Sequence, residues 1–164
     1  MDTGRKKAIL AVMAALTLAG IAAFMLTQKP AAPQADFVTL KGEKIALDSL
    51  RGKVVLVNFW ATSCPSCVRE MPDLVKTHKK FEARGFETVA VAMSYDPPEY
   101  VRQFSERNGL PFKVALDRDG SAALAFGVRV TPTTFVIGKQ GQIVQHIVGE
   151  PDFANLHALI EQAL

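Results

Sequence analysis

The constraint that governs this chain is the point at which its central-strand pattern stops. Val54 to Trp60 is apolar at every position except Asn58, as expected of a strand buried on both faces. Just beyond it stand Cys64-Pro65-Ser66-Cys67. Pro65 opens a helical pattern at the position where proline's missing N–H costs nothing. These are the only two cysteines among 164 residues, so no disulfide framework supports the fold and packing must hold it. Two thiols three positions apart at a strand-to-helix junction form a redox pair.

A cysteine is a nucleophile only as thiolate. At the ordinary thiol pKa near 8.5, about 3% is ionised at pH 7. The unpaired N–H groups and positive dipole end of a helix N-terminus favour the anion. Cys64 falls just before that terminus and Cys67 one turn inside it. Cys64 is therefore the expected attacking sulfur, and Cys67 the one that resolves a mixed disulfide by attacking Cys64. A zinc half-site would need further ligands, and His78, His146 and His157 lack knuckle spacing. His78 would lie about 16 Å along the helix from Cys67. No metal and no cofactor are expected.

Charge is unevenly placed. Residues 1–35 carry Arg5, Lys6, Lys7 and Lys29 against Asp2, whereas residues 36–164 hold fifteen basic and fifteen acidic groups. The balanced part has no electrostatic excess for nucleic acid, which is excluded as a partner. Residues 1–7 are read as a cytoplasmic basic end. Residues 8–26 contain no charged residue and as a helix would span about 28 Å, close to a bilayer's hydrocarbon thickness. With the basic cluster before it, this stretch predicts a transmembrane signal anchor with the rest exported; a cleaved signal peptide is the alternative. Residues 27–35 are a Pro/Ala linker, expected to act as an extended spacer. Residues 36–164 are the folded domain.

Within it, Phe37–Leu40 and Glu43–Leu47 predict a leading hairpin, Val54–Trp60 a central strand, and Pro65 to about Ala83 a helix with an apolar stripe of Val68, Met71, Leu74, Val75, His78 and Phe81. Pro72 should kink this helix without ending it, and Gly85 closes it. Phe86–Met93 reads as a strand, and Asp96-Pro97-Pro98 starts a helix to about Asn108. Lys113–Leu116, Ser121–Phe126, Thr133–Ile137, Gln142–Val148 and Phe153–Ala163 follow as strand, short helix, strand, strand and helix. Asp117-Arg118-Asp119-Gly120 lacks the further ligands of a calcium loop and reads as a turn. The order β-β-β-α-β-α-β-α-β-β-α suits an α/β fold with a central mixed sheet and helices on both faces.

The stretch Val55-Leu56-Val57-Asn58-Phe59-Trp60-Ala61-Thr62-Ser63-Cys64-Pro65-Ser66-Cys67-Val68-Arg69-Glu70-Met71-Pro72, with Val130-Thr131-Pro132-Thr133-Thr134-Phe135 later, resembles the TlpA/ResA-like thioredoxins. These are membrane-tethered, extracytoplasmic thiol–disulfide oxidoreductases that include cytochrome c maturation proteins. The resemblance covers residues 36–164 and implies a thioredoxin-like fold with an N-terminal β-hairpin extension. It implies Cys64 as exposed nucleophile, Cys67 as resolving thiol and Pro132 as a cis-proline packed against the pair. Trp60, Pro65, Val130, Thr131 and Pro132 would form the client-binding surface, with the Val130-Thr131 backbone pairing to an extended client segment.

Asn58 stands where cytoplasmic thioredoxins carry a buried proton-accepting aspartate, and an amide cannot take that role. Glu70 matches an acidic residue that the family keeps near the pair and would accept the proton of Cys67. The same position also suits a solvated first-turn helix carboxylate. Ser63 departs from the family's large residue before the first cysteine. The resemblance further implies a periplasmic reductase at a bacterial inner membrane, fed by a transmembrane thiol reductase. Its clients would be cytochrome c apoprotein thiols or cysteines of copper-handling proteins. A disulfide-forming oxidant or a copper-binding chaperone is the alternative.

Overall fold

A computed structural model describes residues 3–27 and 29–164; the side chains of residues 5, 6, 11 and 22–27 are outside the described set. Part of the expected cytoplasmic end and membrane span therefore lies outside the described residues, as does Gln28 of the linker. The chain forms two compact units, Met1–Pro30 and Ala31–Leu164. The first is a single helix, α1, Thr3–Thr27. Among the described residues, no helix is long and apolar enough to cross a membrane.

The second unit holds seven strands in one sheet. They are β1 (Asp36–Thr39), β2 (Lys44–Ala46), β3 (Val54–Trp60), β4 (Phe86–Ala92), β5 (Lys113–Leu116), β6 (Thr133–Ile137) and β7 (Ile143–Val148), in the order β2-β1-β5-β4-β3-β6-β7. β3, β4 and β5 are parallel, and the flanking pairs are antiparallel. The helices are α2 (Pro65–Phe81), α3 (Pro98–Asn108), α4 (Ser121–Ala125) and α5 (Phe153–Ala163). The expected element order stands.

The alternation of β3 divides the core. Leu56 and Trp60 face one side with Met71 and Leu74 of α2, Val101 of α3, and Leu156 and Ile160 of α5. Val55, Val57 and Phe59 face the other, with Phe37, Ala122, Phe126 and Phe135. Phe59 sits 5.3 Å from Phe126 and 6.2 Å from Phe135, ring centre to ring centre. Period-two alternation puts Asn58 on the α2 side, which matters for the site below. α2 runs through Pro72 and ends at Phe81. The last turn expected as helix is a 3-10 turn, Glu82–Arg84, closed by Gly85 at φ 87°, a conformation that favours glycine.

The linker is shorter than expected from its composition. Ala31 bridges Gln142 and the Ala32 N–H donates to the Gly141 carbonyl at 2.8 Å, while Ala32 and Ala35 pack on the core. The compact unit therefore begins at Ala31, five residues before Asp36. An extended Pro/Ala segment already has the backbone conformation of an added strand, and its small side chains let it lie close.

Candidate active site

Everything at the site hangs from the C-terminal end of β3. The chain turns through Ala61–Cys64, where the Cys64 N–H donates to the Ala61 carbonyl at 3.2 Å. Cys64 is extended (φ −96°, ψ 108°) and caps α2: its Sγ accepts the Cys67 N–H at 3.2 Å. Ser66 Oγ lies 3.4 Å from the same sulfur. Cys64 and Cys67 are joined as a disulfide with Cα atoms 5.3 Å apart. Cys64 is half-buried and Cys67 fully enclosed, so only the first of the two residues meets solvent.

One helical turn after Cys67, on the same face, stands Glu70. It is not a solvated first-turn carboxylate: it is completely buried. Asn58 Nδ2 donates to Glu70 Oε1 at 2.8 Å and to Thr134 Oγ1 at 3.0 Å. Glu70 Oε2 and Asn58 Oδ1 have no partner within the described chain. Burial pushes the Glu70 carboxyl up from 4.5 to about 7, against the lowering pull of the Asn58 amide, and the charge of Glu150 adds to the rise. Glu150 is itself paired with Arg69 of α2 at 3.1 Å. A carboxyl held near 7 exchanges its proton readily at neutral pH.

The Thr131–Pro132 bond is cis. Because Phe59 faces Thr133 across the β3–β6 ladder, Pro132 falls beside the Trp60 end of β3. Pro132 is buried and its carbonyl accepts the Gly149 N–H at 2.8 Å. Val130 is exposed, Thr131 half-buried and Pro65 exposed. Trp60 is different. It is fully enclosed with its ring 5.2 Å from Phe104, so it lies beneath the site and does not line a client-binding surface. β3 buries both faces up to its last residue. Ser63 is exposed beside Cys64. His78 is remote from the pair, bonded through Nδ1 to Thr88 Oγ1 at 3.2 Å and through Nε2 to Glu82 at 3.2 Å.

Three contacts escaped the sequence reading. Thr134 joins Asn58 because the register places them opposite each other; a polar residue in a buried strand was the available signal. Asp96 does not cap α3, whose N-cap is Pro97; its carboxylate turns back to Thr62. Tyr95 Oη lies 3.4 Å from Thr131 Oγ1. A cavity of about 570 Å³, lined by Leu40, Glu87, Arg102 and Lys113 among others, opens where β4 and β5 begin and contains none of the expected site residues.

A mixed sheet of this order, with a cysteine pair at the N-cap of the helix that follows its central strand, defines a thioredoxin-like thiol–disulfide oxidoreductase. Residues 27–160 match the redoxin family. A thiol-disulfide oxidoreductase ResA from Halalkalibacterium halodurans is 41% identical over 65% of this chain, but only 60% of that relative's length is spanned. The ResA of Bacillus thuringiensis strain Al Hakam is 34% identical over 80% of this chain and 75% of its own. Among solved structures, a thiol:disulfide interchange protein of the thioredoxin family from Chlorobium tepidum TLS superposes with a TM-score of 0.76 at 30% identity, over 84% of this chain and 97% of that one. The chain belongs to the redoxin family, in its ResA/TlpA-like thioredoxin branch.

Proposed function

We propose that this chain is a membrane-anchored, extracytoplasmic reductase that passes two electrons from Cys64 and Cys67 to disulfides of client proteins. The observation that carries the proposal is the asymmetry of the pair: Cys64 is half-buried and its Sγ accepts the Cys67 N–H at 3.2 Å, while Cys67 is enclosed. A donated N–H at a helix N-terminus favours the Cys64 thiolate once the pair is reduced. That thiolate attacks one sulfur of a client disulfide, forming a Cys64–client disulfide and releasing the other client sulfur as thiolate. Cys67 gives its proton to Glu70 and attacks Cys64. The Cys64–Cys67 disulfide forms and the second client thiolate leaves, so the client gains the two electrons that the pair loses.

Pro65, Val130 and Thr131 form the client-facing rim, with the buried Pro132 behind it and the Val130-Thr131 backbone offered to an extended client segment. The charge-free stretch 8–26 behind Arg5-Lys6-Lys7 supports an anchor in a bacterial inner membrane with the compact unit in the periplasm. An exported reductase needs electrons carried across that membrane, which a transmembrane thiol reductase supplies. Cytochrome c apoproteins and copper-handling proteins are the client classes put forward.

Three measurements test this. The reduction potential should lie below about −200 mV; a value near −120 mV would mark an oxidant and sink the reductase assignment. A Cys67→Ala variant should accumulate mixed disulfides through Cys64 in cells, and their absence would remove the client claim. A reporter enzyme fused after Leu164 should be active only in its exported form; activity only in the cytoplasmic form would overturn the topology.

A further inference from the structure

We propose that Asp96 is a positioning residue for the nucleophile, acting through Thr62 to fix the turn that presents Cys64. Asp96 lies in the loop after β4, is only 4% exposed, and accepts two hydrogen bonds from one residue. Oδ2 accepts the Thr62 N–H and Oδ1 the Thr62 hydroxyl, each at 2.6 Å. Such short, charge-assisted bonds are the strong kind, and a paired arrangement fixes orientation as well as distance. They compensate a buried carboxylate that would otherwise be costly to desolvate.

The place of this clasp gives it a role beyond holding the loop. Thr62 lies two residues before Cys64, inside the Ala61–Cys64 turn whose closing bond is the Cys64 N–H to the Ala61 carbonyl. The turn is thus tied internally at one side and to Asp96 at the other. Asp96 has its own anchor: its N–H donates to the Met93 carbonyl at 2.9 Å, and the Met93 N–H to the Trp60 carbonyl at 3.0 Å. Its neighbour Tyr95 reaches Thr131, beside Pro132. Two adjacent residues of one loop therefore touch both walls of the site, the nucleophile turn and the client-facing segment. The orientation of Cys64 Sγ toward the Cys67 N–H depends on the turn that Asp96 fixes.

The proposal rests on Cys64 being the attacking sulfur, and the experiment separates the two. Full-length wild type, Thr62→Val, Thr62→Ser and Asp96→Asn are reduced, and Cys64 alkylation by iodoacetamide is followed against pH beside turnover on insulin disulfides. Thr62→Val keeps shape and the N–H but removes the hydroxyl bond. It should slow Cys64 alkylation at pH 7 at least threefold, move the alkylation midpoint upward, and lower kcat about tenfold with KM within twofold. Displacement of a reacting group by about 1 Å can cost up to 100-fold. Thr62→Ser restores both readouts. Asp96→Asn, which cannot accept both bonds, lowers kcat as Thr62→Val does and is the second variant if the valine protein does not fold. A wild-type alkylation profile and kcat in both variants, even with a lower melting temperature, would show a purely structural clasp and overturn the proposal. So would a change confined to KM. Wild-type protein whose Cys64 alkylates no faster than Cys67 would overturn the nucleophile assignment itself.

Discussion

Replacing Glu70 by glutamine should make the oxidised protein more stable at neutral pH and leave it unchanged in acid. In the folded chain burial holds the Glu70 carboxyl near 7, whereas in the unfolded chain it returns to about 4.5. Between those values the folded state binds the proton that the unfolded state has already released, so stability falls as pH rises. Each pH unit in that interval is worth about 1.4 kcal/mol, and the whole interval about 3 kcal/mol. The contribution is therefore fully present below about pH 4.5 and lost by about pH 7 or just above. Glutamine is the isostere of the protonated acid, keeps an oxygen for the Asn58 amide, and does not titrate.

The stability difference between Glu70→Gln and wild type, measured by urea unfolding of the oxidised proteins from pH 4 to pH 9, should be constant in acid. It should rise in favour of the variant through pH 5–7, then level off about 3 kcal/mol higher. The difference is the proper observable. Burial lowers the pKa of both His78 and His157, so those groups lose stability as pH falls below about 6.5 and mask the trend in either protein alone. A flat difference across pH 4–9 would falsify the assignment of a raised pKa to Glu70. The variant should also slow the release of client from Cys64, since Cys67 then lacks its proposed proton acceptor.

Phe59→Ala removes the ring that Phe126 and Phe135 surround, and should cost about 3–5 kcal/mol by chemical denaturation; a loss below 1 kcal/mol would contradict the packing described. Lys113→Met tests the buried Glu87, which Lys113 contacts at 2.6 Å and Lys53 at 3.5 Å. Burial opposes ionisation of Glu87, but the hydrogen bond and charge of Lys113, with Lys53, outweigh it and hold the pKa below the ordinary 4.5. That stabilisation exists above about pH 4.5 and disappears as pH falls through the lowered value. The cost of Lys113→Met should therefore be about 1–3 kcal/mol at pH 7 and shrink toward zero near pH 3, and a pH-independent cost would refute the ion-pair account.

What the sequence made legible was what neighbouring residues carry among themselves. Val54–Trp60 announces a doubly buried strand by composition, and Pro65 with the stripe through Met71, Leu74 and Phe81 announces the helix by period. The cysteine pair sits at their junction, so its asymmetry follows from local pattern alone. Asp96 shows where this stops. Asp-Pro-Pro after a strand carries every local mark of a helix start, yet its carboxylate is spent on Thr62, 34 residues earlier. That choice is made by the parallel pairing of β3 with β4, which sets the two loops side by side. Trp60 differs in the other direction: the family resemblance implied a client contact, and the closed face of β3 buries it. The Pro/Ala linker likewise looked featureless because its pairing partner, Gln142, is more than a hundred residues away.

Asn58 and Glu70 have to be understood as one device. The alternation of β3 points Asn58 at α2, and the helix brings Glu70 to it one turn past Cys67, so a strand residue and a helix residue meet at 2.8 Å. Two carboxylates at that distance would resist ionising together; they would share a proton, and the loss of the second would be strongly opposed. The amide avoids this by donating. It donates to Oε1 alone, while Oε2 has no partner in the described chain. Were both oxygens hydrogen-bonded, the carboxyl would move back toward its ordinary range, because each donor favours the anion. Were neither, burial would raise it further. One donor set against full burial, with the charge of Glu150 adding to the rise, places Glu70 near 7, where the proposed acceptor of the Cys67 proton can both take a proton and release it. The buried acid thus stands on the helix and not at strand position 58, where the Asn58 amide donates to it and lowers its pKa against burial.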